Sequence, residues 1–490
     1  MADSRQKTVH SRFTSGSIFN HIVVMSVTGG IGLLALFFVD LADMYFLSLL
    51  GETELAAAIG YAGTILFFTA SISIGLSIAT GVVTAKAVGE GKDRRTRQVV
   101  MTALFFSAII AIATSIVIFP LTPMILEMLG AAGRTHSLAM DYLQILLPTL
   151  GFLGLGMSTG GVLRAVGDAK GAMMVTLIGS AVNLVLDPIF IFGLDLHIQG
   201  AALASVSARI TLAGVGLYLI FRKHDLGIRI NFRIFKRNLS PMLKVAMPAI
   251  FTNIATPIGN AYVITEISMF GDAAIAGNTI VARITPVAFA LFFSLSGSIG
   301  PIIGQNLGAK EYDRVKESIY ASLKFIIGYT VILWPIFYLS QDMIIALFGA
   351  SEDAGAMIRV FCNWVVPLTM FLGILFLSNA AFNNLGHPLR ATFFNVGKAT
   401  IGTIPFAYYG SKLYGAEGVL IGQAIGAAIF GFVGVIFCLY TIDKVVAARR
   451  NNDQRKAQME TADNDQPQLM PYSSARTFNY SSKDIIEQSE

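Results

Sequence analysis

Two stretches, Ala87 to Arg95 (AVGEGKDRR) and Asn306 to Arg314 (NLGAKEYDR), stand about 219 residues apart and carry the same punctuation. Each ends a long apolar run with a glycine turn and opens the next run with a charged cluster. The spacing recurs: Gly51 pairs with Gly271, and Gly167 with Gly386, at nearly the same offset. The chain therefore reads as two copies of one unit. A repeat with an even number of helices per copy keeps the same topology in both halves, the parallel-repeat arrangement of some secondary transporters.

The runs between those turns cross a membrane. Hydrophobic residues make up 54% of the 490 and charged residues only 13%, whereas soluble domains carry about a quarter charged residues. Ile18 to Val39, Thr64 to Ala85, Val100 to Pro120 and Gly418 to Tyr440 are long enough to span a hydrocarbon core of about 30 Å. Helices are expected near 18–50, 55–88, 98–129, 138–163, 171–194 and 199–221, then near 239–270, 274–305, 315–348, 357–383, 389–412 and 418–447. The fold class is all-α integral membrane, with twelve transmembrane helices in two pseudo-symmetric six-helix lobes. The expected division is an N-terminal tail 1–17, an N-lobe 18–222, a basic connector 223–238, a C-lobe 239–448 and a disordered tail 449–490. That last segment is rich in Asn, Gln, Ser and Asp and lacks apolar periodicity.

Basic residues sort by alternate loops: Arg5, Lys7 and Arg12; Lys92 to Arg97; Arg222 to Arg237; Lys310 to Lys316; Lys444 to Arg450. The intervening loops hold mainly Arg134, Arg359 and Lys412 among basic residues, with the acids Glu52, Glu54, Asp195, Asp272, Glu352 and Asp353. By the positive-inside rule both termini are cytoplasmic, and a plasma (inner) membrane is expected. The net charge of +5 is spread over short loops and forms no basic domain face, so nucleic acid is not an expected partner. Cys362 and Cys438 sit in apolar surroundings without CxxC spacing and read as inert buried thiols.

An ionisable side chain facing lipid costs roughly 2.5 to 3.5 kcal/mol on insertion scales, so acids within helices need partners or a watery cavity. Asp40 and Asp43 fall in the outer half of helix 1, and Asp187 in the outer half of helix 5. Asn183 and Asp187 are spaced i, i+4 and share a face. Pro188 frees a carbonyl on an adjacent turn, and Ser205 on helix 6 falls at a comparable depth. Carboxylates, an amide, a hydroxyl and a loose carbonyl at one depth suit a proton or a small hard cation such as Na⁺. The bland alternative is a hydrogen-bond network that only ties helices 1, 5 and 6 together. Unneutralised carboxylates repel, however, so one must hold a proton more tightly than usual, which suits proton coupling.

These residues lie within motifs that resemble a known family. Val39 to Gly51 (VDLADMYFLSLLG), Leu163 to Asp168 (LRAVGD), Asn183 to Pro188 (NLVLDP), Gly200 to Val206 (GAALASV) and Gly304 to Ala309 (GQNLGA) are similar to the multidrug and toxic compound extrusion (MATE) family, over about residues 18–448. The resemblance implies an antiporter that exports organic, cationic or amphiphilic compounds in exchange for H⁺ or Na⁺. It places the helix 1 acid on Asp43, with Asp40 as a neighbour one turn back, the helix 5 pair on Asn183 and Asp187, and the helix 6 hydroxyl on Ser205. NorM-like members also carry acids on helices 7 and 10, where this chain has Thr256 and Leu372. That departure points to the DinF-like branch, with coupling in the first half.

Second-half polar residues are weaker candidates for a substrate cavity: Asn253, Thr256, Asn260, Tyr262, Asn278 and Arg283, with Lys398 beside them. Glu266 reads as solvated or snorkelling at the outer end of helix 7. Aromatic residues such as Phe67, Phe68, Phe289, Phe292 and Phe293 fit a greasy cavity as well as lipid-facing packing. An ATP-driven pump is not expected, because Gly89 to Lys92 lacks the first Gly and the Ser or Thr of a phosphate loop. An enzyme is not expected either, since the His residues scatter to helix ends and loops. The protein is read as a monomer whose partners are small organic molecules and membrane lipid, without cofactor other than its coupling ion. The rival function is a flippase for lipid-linked oligosaccharides on a related two-lobe architecture.

Overall fold

A computed structural model describes residues 11–50, 53–229 and 232–464. Its elements are α1 (Ile18–Ser48), α2 (Thr53–Gly89), α3 (Asp93–Met128), α4 (Gly133–Leu146), α5 (Leu150–Ala165), α6 (Ala169–Pro188), α7 (His197–Tyr218), α8 (Phe232–Ser268), α9 (Asp272–Gly308), α10 (Tyr312–Leu347), α11 (Glu352–Val360), α12 (Val366–Leu385), α13 (Pro388–Ala399) and α14 (Ile404–Asn464). All described regular structure is helical.

The twelve crossings are assembled from these helices with local irregularities. A 3₁₀ turn at Leu147–Thr149, one residue either side of Pro148, joins α4 to α5. Five-residue π turns extend α6 through Gly193, extend α7 through Lys223, and join α11 to α12. The helical run that starts at Pro388 turns back at Tyr414 and Gly415, where the backbone leaves the helical region and Gly415 takes φ 62°. Glycines hold that hairpin shut. A Cβ on Gly418, Gly422 or Gly426 would fall about on the carbonyl oxygens of Gly410, Phe406 and Gly402, at 2.0, 2.1 and 1.4 Å. Small residues at a spacing of four let two membrane helices approach to backbone contact.

Within the lobes, helices pack through buried apolar clusters, the largest described one joining Leu55, Ile65, Leu143, Leu146 and Ile198 of the first lobe. Between lobes, α1 packs on α9, and α2 on α8 and α9. Residues 11–17 share an end of the bundle with the turns after α2, α5, α9 and α12. This end is called the basic side below, because the Lys- and Arg-rich turns lie there.

Three expectations differ. The connector read as 223–238 is already helical from Phe232, because its basic positions alternate with Phe232, Ile234, Phe235 and Leu239, which give a turn an apolar face. The tail read as disordered from 449 is helical to Asn464, and it belongs to a second compact unit beginning at Asp443; residues 465–490 lie outside the described residues. Of the polar N-terminal tail, Ser11 to Ser17 are folded against the bundle. The Gly51 of the repeat and the first ten residues lie outside the described set.

Candidate functional site

Asn183 and Asp187 occupy successive turns of one face of α6, and both are buried, Asp187 at 0% exposure. The Asn183 Nδ2 donates to Asp187 Oδ2 at 2.8 Å and to Asp43 Oδ1 of α1 at 3.2 Å. The Asp43 and Asp187 carboxyls face each other as a dyad, an arrangement in which two ionised carboxylates would repel. The other Asp187 oxygen, Oδ1, is buried and has no hydrogen-bond partner. The π turn that follows Pro188 displaces the end of this helix from regular geometry directly beside the dyad.

Asp40 stands one turn back on α1, exposed, and its nearest opposite charge is Arg283 of α9. The Arg283 Nη1 donates to Met44 Sδ at 2.8 Å, so the second lobe places a guanidinium on the helix that carries the first lobe's acids. Ser205 is half-buried on α7 and bonds the hydroxyl of Tyr142 on α4, which in turn has Asp43, Asp187 and Arg209 within electrostatic reach. Arg209 is anchored on the chain itself, its Nη1 donating to Leu146 O at 2.7 Å and Thr149 Oγ1 at 2.9 Å. Tyr142 was not among the residues expected from the sequence, and Arg209 stood there without an assigned role. An arginine four residues after Ser205, in an otherwise apolar helix, was the available signal. Asp40, Asp43, Asn183, Asp187 and Ser205 thus gather at one end of the first lobe.

The second-lobe candidates do not gather. The Asn253 amide donates to its own helix at Ala249 O, 2.8 Å. Thr256 and Asn278 are half-buried. Asn260 accepts a long bond from Gln423, 3.4 Å. Tyr262 lies beside Glu266 and Tyr408. The Glu266 reading is corrected: its side chain is 6% exposed and accepts from Ser411 Oγ at 2.7 Å, so a neighbouring helix supplies what solvent was expected to. Of the aromatic residues, Phe289 and Phe292 are core, packed against Phe361 and Tyr329, whereas Phe67, Phe68 and Phe293 are exposed.

On the basic side Asp168 caps α6, accepting from Gly171 N at 3.0 Å, Lys223 Nζ at 2.7 Å and His224 Nε2 at 2.8 Å. Burial pushes its carboxyl up, but the bonds from His224, Lys223 and the Gly171 amide outweigh burial and hold it well below the usual carboxylate range.

The fold and the paired acids define a membrane transporter built from two repeated lobes, and the comparisons name its family. The chain belongs to the MATE family, whose sequence profile (MatE) matches residues 30–189 and 248–409, one segment in each lobe. A relative from Shewanella oneidensis, the FAD transporter, is 28% identical over 88% of this chain and 96% of its own length. The multidrug export protein MepA of Staphylococcus aureus is 23% identical over 88% and 96%. Among solved structures, a MOP superfamily transporter from Pyrococcus furiosus, described as having a binding pocket of reverse polarity, superposes with a TM-score of 0.83 at 22% identity, covering 91% of this chain and 99% of its own. The Vibrio cholerae MATE transporter VcmN gives 0.81 at 23%, covering 88% and 97%. Both share the fold. Members of the family are transporters, and this chain is a multi-pass membrane transporter.

Proposed function

We propose that the protein is a proton-coupled antiporter of the plasma membrane, exporting organic amphiphiles as its two lobes rock about the cleft between them. One observation carries the reading: the Asn183 amide bonds both Asp43 and Asp187 at membrane depth, where among the described residues neither acid has an ion pair. The dyad is a site for one exchangeable proton. Sodium is the rival ion, and the orphaned Asp187 Oδ1 is a ligand it could use. Asn183, however, turns its donor nitrogen toward the acids, which suits proton-sharing carboxyls better than a shared cation that would want the amide oxygen.

In this reading the basic side faces the cytoplasm, both termini with it, and the coupling lies in the first lobe as in the DinF-like branch, since Thr256 and Leu372 offer no carboxyl. Neither relative named above is a flippase of lipid-linked oligosaccharides, the rival function. Their names do differ in cargo, a dinucleotide against multiple drugs, so both chemistries belong in the test. Inverted vesicles given an outwardly directed Na⁺ gradient or a pH gradient, acid inside, are assayed for uptake of ethidium and of FAD. The pH gradient is expected to drive uptake of at least one, and Asp43→Asn and Asp187→Asn to abolish it with expression intact. Full transport by both variants would sink the proposed coupling site; drive by Na⁺ alone would overturn the choice of ion.

A further inference from the structure

The segment Ser11 to Ser17 is polar and precedes the first helix, yet it is threaded between the lobes. On the first-lobe side Arg12 Nη1 donates to Gly167 O in the α5–α6 turn at 3.3 Å. On the second-lobe side Phe13, 2% exposed, donates its N–H to Gln305 Oε1 of α9 at 3.0 Å. Its carbonyl accepts from Asn306 Nδ2 at 3.1 Å and from Arg314 Nη2 at 2.9 Å. The same Arg314 nitrogen reaches Ser15 O at 3.3 Å and Gly16 O at 3.0 Å, and Arg314 Nε is braced by Asn306 Oδ1 at 3.1 Å. Gln305, fully buried, closes the loop by donating Nε2 to Ala165 O of the first lobe at 2.7 Å.

Directly beside these bonds the lobes meet at backbone contact. A Cβ on Gly89 would fall 2.1 Å from Gln305 O, and one on Gly308 2.4 Å from Lys86 O and 3.0 Å from the Gly89 Cα. These two glycines are the repeat-related pair of the opening motifs, so each lobe contributes the same turn to the contact. Separating the lobes on this side must break the Gln305–Ala165 bond, and must also pull the N-terminal segment off one lobe or the other.

We infer that Ser11 to Ser17, clamped by Arg314 and Gln305, is a latch that holds the basic side closed, and that Arg12, Phe13 and Arg314 set the balance between closed and open lobes. The inference deepens the rocking of lobes proposed above and rests on it for its place in the transport cycle. Arg314 suits the task because its planar guanidinium donates Nε to Asn306 Oδ1 while Nη2 points at the carbonyl oxygens of the segment, a fixed geometry that a lysine ammonium lacks. Every bond is to backbone oxygen or a neutral amide, so the latch reads the shape of the segment and involves no carboxylate.

The test measures lobe separation and leaves coupling aside. Spin labels at Arg94→Cys in the first lobe and Glu317→Cys in the second, both exposed on the basic side, report the inter-lobe distance in liposomes; Cys362 and Cys438 are buried and stay unlabelled. Arg314→Gln and Arg12→Gln, at opposite ends of the latch, are each expected to raise the fraction at the longer separation at least fivefold, with Arg314→Lys intermediate. An unchanged distance distribution in both Gln variants overturns the latch. Should Arg314→Gln fail to fold, Arg12→Gln alone decides, since that side chain is exposed. Transport that survives loss of Asp43 or Asp187 would overturn the coupling site while leaving these distances untouched, so the two failures are distinguishable.

Discussion

At the residue scale the informative positions are polar side chains whose partners lie far away in sequence. Asp168 takes three donors, from a main-chain amide and two basic residues some 55 positions on. Its carboxyl is held below its ordinary range, so its stabilising contribution is complete above the unfolded value of about 4 and is lost as pH falls through the depressed folded value. Asp168→Asn is therefore expected to lower the thermal unfolding midpoint of the detergent-solubilised protein at neutral pH. The gap to the parent should shrink below about pH 4; a gap independent of pH would contradict the charge-based account. At Glu266 the expectation is different. Glu266→Leu leaves the Ser411 hydroxyl only its bond to Tyr408 O and is expected to cost about 1 to 3 kcal/mol of stability without changing the proton dependence of transport, which a flux assay across imposed pH gradients would check.

Single residues were legible in the sequence only as far as depth goes. The i, i+4 spacing of Asn183 and Asp187 and a depth shared with Asp40 and Asp43 could be read from helix periodicity and topology, whereas the choice of Asp43 over Asp40 came from the family resemblance. That Glu266 is bonded by Ser411 could not, because hydropathy gives a side chain's depth in the membrane but not the neighbour that meets it there. The roles of Tyr142 and Arg209 escaped for the same reason, since they depend on how α4 and α7 face one another.

At the scale of elements, the α13–α14 hairpin and the α2–α9 contact show glycine used for approach and for little else. Ala at Gly426 would put a methyl on the Gly402 carbonyl oxygen, so the hairpin must splay; a loss of roughly 1 to 3 kcal/mol is expected, the usual cost of overpacking, read as a lower unfolding midpoint. Gly89→Ala acts on a contact between lobes instead. Its methyl meets backbone at Gln305, which cannot step aside, so the basic side is held ajar. The expected outcome is a shift of the Arg94–Glu317 spin-label distance to longer values with little loss of overall stability. Helix number and most boundaries followed from apolar runs, and the turn at Tyr414–Gly415 was expected in its place. The helical start at Phe232 and the helix beyond 449 were not, since composition rich in charge reads as connector or tail even where propensity sustains a helix.

At the scale of the whole molecule, the repeat builds both lobes, but the chemistry is unevenly divided. The first lobe holds half-buried Asp43 with buried Asn183 and Asp187, and the second-lobe positions corresponding to Asp43 and Asn183 fall near Val263 and Gly402, of which Gly402 is spent on helix packing. Arg283 crosses the seam to the acid-bearing helix. Removing its charge with Arg283→Met is expected to alter the pH at which transport is half-maximal, because Asp40, one turn from Asp43, loses the guanidinium that faces it from the other lobe. An unchanged pH profile with lowered maximal rate would make Arg283 a contact for cargo or packing only.

The threading of Phe13 also bears on how the protein is made. Its partners Gln305, Asn306 and Arg314 lie about 290 to 300 residues downstream, and a ribosome adding about 5 to 20 residues each second delivers them roughly 15 to 60 s after Phe13 itself. For that interval the segment has only its first-lobe contact, from Arg12 to Gly167 O, while most of the membrane helices are inserted. Ser11 to Ser17 are thus made well before their second-lobe partners, and their full docking marks the moment at which α9 and the start of α10 have arrived in register with the first lobe.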